Sequence, residues 1–303
     1  MSYEVIDNRI YTQQGCELNV VHHCNLTCRA CSHLSPVMKK YLVDADSVFR
    51  DFSTLAKYYR PRYIKLLGGE PLLHPMLLSV IDAIRSSDIC NRVHVCTNGI
   101  LLPKMSSQFW AKVDLVEISA YPGVNFDEEQ RKQIRYNAKS HNVRLIIAHH
   151  NYFREAYSEI GTEDKDLVHR IYKTCKAAHV WRCHTVLNGY FFKCPQSAFI
   201  PQVLDSNTES FYKDGLRIVN SVDFGMQLLT FLESTSPLNS CRHCLGSVGK
   251  LFPQVQQVRR EWRAPQQYPT EELLDEEFLI TLEQNPLAND GCLQQISLIS
   301  AIH

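Results

Sequence analysis

The chain has 303 residues, 45% hydrophobic and 21% charged, with 32 basic side chains balancing 32 acidic ones. This is an ordinary globular composition, long enough for one large domain or a barrel-like domain with a smaller companion. The neutral balance supports neither a nucleic-acid nor an anionic-membrane footprint, and no apolar run reaches the roughly 18 residues of a membrane span. Residues 1–14 are polar and mixed, unlike a secretory signal, so the expectation is a cytoplasmic protein that acts without nucleic acid or membrane.

In chain order, residues 17–22 (ELNVVH) read as a strand running straight into Cys24. Val48, Phe49, Phe52, Leu55, Ala56 and Tyr59 share one face at helical spacing, which predicts a helix over 46–59. A second strand spans 63–67, followed by Gly68-Gly69 and a helix over 75–85. A third spans 92–96 and is closed by the turn chemistry of Thr97-Asn98-Gly99. A fourth strand over 115–119, a polar helix over 126–140 and a fifth strand over 143–148 follow. Strands alternating with helices imply parallel pairing through right-handed crossovers, and five or six such units fit a full or partial α/β barrel. Reactive groups of such barrels sit at the C-terminal ends of the strands. Here those ends carry the Cys24 region, Gly68-Gly69-Glu70, Thr97-Asn98-Gly99, Ser119 and His149-His150.

After residue 151 the rhythm changes. A helix is expected over 163–172, and segments 184–187 and 190–193 flank Asn188-Gly189, a strong hairpin signal. The hairpin lies among cysteines, which places a small metal-bearing α+β domain over 151–250. The tail, 251–303, is expected to hold one helix over 271–282 with Thr270 as its N-cap. The domain expectation is therefore 1–150, 151–250 and 251–303.

Twelve cysteines without a secretory signal point to metal or redox chemistry rather than a disulfide framework. Cys24, Cys28 and Cys31 form CxxxCxxC. Three thiolates can bind three irons of a four-iron cluster and leave the fourth open. A structural zinc site prefers four closed ligands, and His22, His23 or His33 could complete one, so these residues alone leave zinc open.

This segment resembles the radical S-adenosylmethionine (radical SAM) superfamily. In that family the cysteine loop follows the first strand of a partial (β/α)6 TIM-like barrel, and Gly68-Gly69-Glu70-Pro71 stands where the family has its GGEP motif. The resemblance implies a [4Fe–4S] cluster on Cys24, Cys28 and Cys31 that binds S-adenosyl-L-methionine. Gly68, Gly69 and Pro71 would shape the cofactor turn, and Glu70 would receive the ammonium of the methionine moiety. Asn98, in the family's TNG turn, and Ser119, ending the fourth strand, would also contact the cofactor. Ala30 stands where the family usually has an aromatic residue beside the adenine, which leaves adenine packing to backbone or other side chains.

Cys175, Gly189 and Cys194 give C-x13-G-x4-C, with Cys241 and Cys244 as a downstream CxxC. This is similar to the SPASM region in its shortened twitch form. The likeness implies that Cys175, Cys194, Cys241 and Cys244 close a second, auxiliary [4Fe–4S] cluster. Cys183 could replace Cys175, donate hydrogen to a substrate, or be a buried structural thiol. Cys16, Cys90, Cys96 and Cys292 read as packing residues. A zinc ribbon is the alternative for this region.

The implied activity is that of an oxidoreductase. Reductive cleavage of S-adenosylmethionine yields a 5′-deoxyadenosyl radical, which takes hydrogen from a small polar molecule (a sugar, aminocyclitol or nucleotide derivative) in a net oxidation. A flavodoxin or ferredoxin would supply electrons. Peptide substrates rank second, because only 23 residues precede Cys24 and a peptide-binding domain would need more. A radical epimerase ranks third. His149, His150, Tyr152 and Arg154 lie near the expected site, but none is assigned as a catalytic base. The non-enzymatic alternative is a zinc-stabilised binding protein.

Overall fold

The strand–helix alternation folds into a sheet rich in parallel pairs. In the computed structural model, which describes residues 3–204, 210–292 and 295–299, the chain divides into two units. Residues 3–22, 40–151 and 295–299 form the first, and residues 23–39 and 152–292 the second. The cysteine loop thus groups with the second unit and not with the strand it follows.

The first unit opens with a hairpin of β1 (Glu4–Ile6) and β2 (Arg9–Tyr11). Its two turn residues, Asp7 and Asn8, both have positive φ (49° and 61°), as a tight two-residue hairpin turn demands. Then follow β3 (Cys16–Val21), α1 (Ala45–Leu55), β4 (Tyr59–Arg60), β5 (Ile64–Gly68), α2 (Leu77–Ser86), β6 (Val93–Thr97), α3 (Ser107–Lys112), β7 (Leu115–Ala120), α4 (Glu128–Ser140) and β8 (Arg144–His149). Strands β3, β5, β6, β7 and β8 lie side by side in that order, all parallel. The sixth place differs from a (β/α)6 pattern: the strand Gln295–Ile299 pairs with β8 antiparallel. The chain leaves β8 for the second unit and returns running the other way.

Helix α1 is fixed at its start by the Asp44 carboxylate, which accepts the Ser47 N–H at 2.9 Å. It buries Val48, Phe52 and Leu55 and stops short of the expected residue 59. Tyr59 instead enters β4, where it is fully buried and pairs beside β2. Helix α4 begins with a capping box between Asp127 and Gln130.

The second unit contains β9 (Tyr152–Arg154), α5 (Lys165–Lys173), α6 (Lys176–His179), β10 (Thr185–Leu187), β11 (Tyr190–Phe192), α7 (Pro195–Leu204), β12 (Gly215–Arg217), α8 (Phe224–Glu233), β13 (Leu251–Pro253), α9 (Thr270–Leu273) and α10 (Glu276–Gln284). Strands β10 and β11 form the expected hairpin through Asn188 and Gly189, both at positive φ, and β12 joins β11 antiparallel. Leu167, Ile171, Leu245, Val248, Leu279 and Leu282 make one core. The single helix expected over 271–282 is two helices. Leu274 is extended, and Asp275 starts α10 by accepting the Phe278 N–H at 3.1 Å; Thr270 lies inside α9 and caps nothing by its side chain. Residues 300–303 of the expected tail lie outside the described residues. Among the described residues, no helix is long and apolar enough to cross a membrane.

Candidate active site and metal centres

The CxxxCxxC loop is held by residues remote in sequence. The Arg29 N–H donates to the Val255 carbonyl and the Gln257 N–H to the Thr27 carbonyl, both at 2.9 Å. The Trp262 indole donates to the Cys28 carbonyl at 2.8 Å. The Thr27 N–H donates to the Gln256 side-chain oxygen at 2.7 Å, and the same amide donates through nitrogen to Cys28 Sγ at 3.2 Å. The Arg29 guanidinium pairs with buried Glu155 and sits 4.2 Å over the Phe252 ring. Residues 252–262, expected to begin a tail, therefore cradle the loop.

Within it, Cys28 is buried, and burial together with the neighbouring Cys31 pushes its thiol up to about 11. A thiol in that state stays protonated at neutral pH unless a metal ion takes the sulfur as a ligand, the proton then leaving to water. Cys24 accepts the Leu26 N–H at 3.4 Å. Ala30 is buried in a left-handed turn at φ 50°.

The glycine–glutamate turn belongs to the first unit. Gly68 has φ 127°, and a Cβ there would come within 2.3 Å of the Val21 carbonyl oxygen. Glycine is required here by the close approach of β5 to β3. Glu70 is fully buried at the start of the short turn Pro71–Leu73. Its carboxylate accepts the Leu72 N–H at 3.1 Å, the Thr97 hydroxyl at 2.6 Å and the Asn98 N–H at 2.9 Å. Three donors from its own chain thus meet this carboxylate, and Glu70 locks the GGEP turn to the TNG turn. Burial pushes its pKa up, against the pull of those three donors.

One feature of the first unit was not anticipated. Glu17, Lys65 and His94 are register neighbours on β3, β5 and β6, as are Cys96 and Glu117 on β6 and β7. Lys65 pairs with Glu117 at 2.9 Å. The Cys96 thiol lies 3.8 Å from the Glu117 carboxylate and 3.5 Å from the Ser119 hydroxyl, so Cys96 is a member of a polar cluster and not simply packing. Burial and the Lys65 charge push His94 down to about 4. Parallel strands covered on both faces are ordinarily apolar throughout, so charged residues inside consecutive strands were the available signal.

In the second unit, Cys175, Cys194, Cys241 and Cys244 line one pocket with Tyr172 and Ala178. Cys183 is not among its lining residues. Burial and Cys175 push the Cys194 thiol up to about 12; Cys175, Cys241 and Cys244 are raised too, the last two by burial and by other cysteines of the set. The CxxC turn is fixed by buried Asp214, which accepts the backbone N–H groups of Asn239 and Ser240, both at 2.7 Å. Lys193, also buried, donates to the Tyr172 hydroxyl at 3.0 Å and to the Ser234 carbonyl. Among the described residues, no three His, Cys, Asp or Glu side chains are gathered closely enough to hold a single metal ion.

The remaining candidates separate. Arg154 is structural: it pairs with Asp275 at 2.9 Å, donates to the Gly249 and Asp290 carbonyls and stacks on Phe278. His149 ends β8, the His150 N–H donates to the Ala120 carbonyl at 3.0 Å, and Tyr152 is exposed on β9. Cys16 and Cys90 are buried, as expected of packing thiols.

Residues 18–163 match the model of the Radical SAM superfamily. Two curated relatives are a "Probable GTP 3',8-cyclase" of Methanococcus maripaludis, 32% identical over 133 residues, and a "GTP 3',8-cyclase" of Mannheimia succiniciproducens, 27% identical over 149. These alignments cover 43% and 48% of this chain and 43% and 41% of the relatives, so the chain spans less than half the length of either. Among solved structures, BtrN in complex with AdoMet and 2-DOIA aligns over 76% of this chain and 84% of its own, at 13% identity and a TM-score of 0.39. The anSMEcpe structure with bound AdoMet aligns over 44% and 42%, at 17% identity and a TM-score of 0.36.

Proposed function

We propose that the protein is a radical SAM enzyme that binds S-adenosyl-L-methionine at a [4Fe–4S] cluster on Cys24, Cys28 and Cys31 and takes hydrogen from a small polar substrate. The single observation that carries this reading is the position of CxxxCxxC inside the matched superfamily segment, on a loop braced by Gln256 and Trp262. When bound, the cluster and cofactor supply one electron and a 5′-deoxyadenosyl radical. The chain's own residues position and shield. Glu70 holds the GGEP and TNG turns in one geometry, with Asn98, Ala30 and Ser119 proposed as cofactor contacts. The Lys65–Glu117–Cys96 group offers charged and polar partners to a hydroxyl-bearing substrate.

In this reading Cys175, Cys194, Cys241 and Cys244 of the 151–250 region would hold an auxiliary [4Fe–4S] cluster, which would supply the electron acceptor for net oxidation of a sugar or aminocyclitol. A second reading, favoured by the GTP 3',8-cyclase relatives, is a nucleotide substrate and a radical rearrangement without net oxidation. A flavodoxin or ferredoxin is the proposed electron donor.

The test is anaerobic reconstitution followed by dithionite and S-adenosylmethionine. Formation of 5′-deoxyadenosine by the wild type and its loss in Cys28→Ala is the expected result; a fully iron-loaded wild type that forms none refutes the reading. Deuterium transfer into 5′-deoxyadenosine from labelled GTP or a labelled aminocyclitol then separates the two substrate classes.

A further inference from the structure

We propose that Gln256, assisted by Gln254, is the hydrogen-bond donor that sets the reduction potential of the cluster on the Cys24–Cys31 loop. The proposal rests on reading that loop as the cluster site. The orientation of the Gln256 amide is fixed by chemistry: the Thr27 N–H at 2.7 Å can only donate, so the amide oxygen faces it. The NH2 group is thereby turned to Cys28 Sγ at 3.2 Å. An isolated β-bridge between Cys28 and Gln256 and the paired bonds Arg29 N–H to Val255 and Gln257 N–H to Thr27 hold the two segments in register.

Gln254 lies two residues earlier and is 4% exposed, with its side-chain amide buried beside Cys28. A buried amide needs polar partners, and the sulfur-rich group expected beside it would supply them. The cradle is neutral at this point: a glutamine donates to sulfur without adding charge. Donation to a ligand sulfur stabilises the reduced cluster, whose sulfurs carry more negative charge, and so raises the potential.

Gln256→Met removes the donor without adding charge. Gln256→Glu keeps an oxygen for the Thr27 N–H but loses the donor and adds a negative charge. The loaded proteins are titrated potentiometrically and followed by electron paramagnetic resonance, the relevant cluster being the one whose signal changes on adding S-adenosylmethionine. The reduced-to-oxidised ratio at the wild-type midpoint should fall about tenfold in Gln256→Met, a midpoint about 59 mV lower for one electron, and further in Gln256→Glu. A wild-type midpoint in Gln256→Met at full iron content overturns the proposal. If the Gln256 variants fail to take up iron, Gln254→Met decides, with a smaller fall expected and an unchanged midpoint overturning it. Absence of any S-adenosylmethionine-responsive signal in wild-type protein overturns the cluster reading itself and this inference with it.

Discussion

Trp262 and Cys28 stand 234 residues apart in sequence, yet the indole N–H of one donates to the backbone carbonyl of the other at 2.8 Å. Trp262 is fully buried, so water cannot replace the donor. Trp262→Phe removes the shorter of two bonds to the Cys28 carbonyl, the Cys31 N–H at 3.3 Å remaining, at a cost of about 0.5–1.5 kcal/mol. The loss falls on the loop carrying the cysteine trio, so iron uptake at that loop and 5′-deoxyadenosine yield should drop together. Trp181→Phe is the control, because Trp181 is 48% exposed. If the two variants behave alike, the indole bond does not brace the loop.

Glu70 holds Leu72, Thr97 and Asn98 by one buried carboxylate. Glu70→Gln replaces one acceptor oxygen with a donor, which then faces either the Asn98 N–H or the Thr97 hydroxyl. The TNG turn should loosen and the affinity for S-adenosylmethionine fall roughly tenfold, or about 1.4 kcal/mol, with iron content unchanged. Isothermal titration of the reconstituted protein measures this. Unaltered affinity would mean that the lock between the two turns does not matter to the cofactor.

The parallel strands were legible because their apolar runs are short, regular and closed by glycine-containing turns; β5, β6 and β7 fall within a residue or two of where the pattern put them. Helix α1 was overextended because Ala56 and Tyr59 continue its apolar stripe. Tyr59 buries itself through β4, and periodicity does not distinguish burial by a helix from burial by the strand after it. The cradle of residues 252–262 carries no local signal, since Gln256 and Trp262 acquire meaning only by meeting Cys28. Glu70 illustrates the converse. Its place in the motif is plain, but nothing local marks its partners on the next strand's turn, Thr97 and Asn98.

Cys175, Cys194, Cys241 and Cys244 share one pocket, and Cys183 does not line it. If the pocket and the N-terminal loop each hold four irons, loaded protein contains about eight per chain. Cys194→Ala or Cys241→Ala should lose about half of that iron while Cys183→Ala keeps it all. Quantitative iron and sulfide analysis decides. Loss of iron in Cys183→Ala, or none in Cys194→Ala, would remove the auxiliary cluster from this pocket.

His184 is fully buried between Cys183 and β10, with its Nδ1 on the Lys193 carbonyl at 3.0 Å. Burial, opposed by that hydrogen bond, pushes its pKa down to about 4 from the 6.5 of an exposed histidine. Between those two values the unfolded chain binds a proton that the folded chain refuses. His184 therefore costs nothing above pH 6.5 and lowers stability progressively as the pH falls toward 4, by at most about 1.4 kcal/mol per pH unit. Asparagine can place its side-chain N–H near the position of Nδ1 and does not titrate. Urea unfolding of the anaerobic protein at pH 7.5 and 5.5 should show wild type losing about 1 kcal/mol more than His184→Asn on acidification. Equal losses would mean that the imidazole gains its proton inside the folded protein, and that the second unit opens to water around β10 at mildly acidic pH.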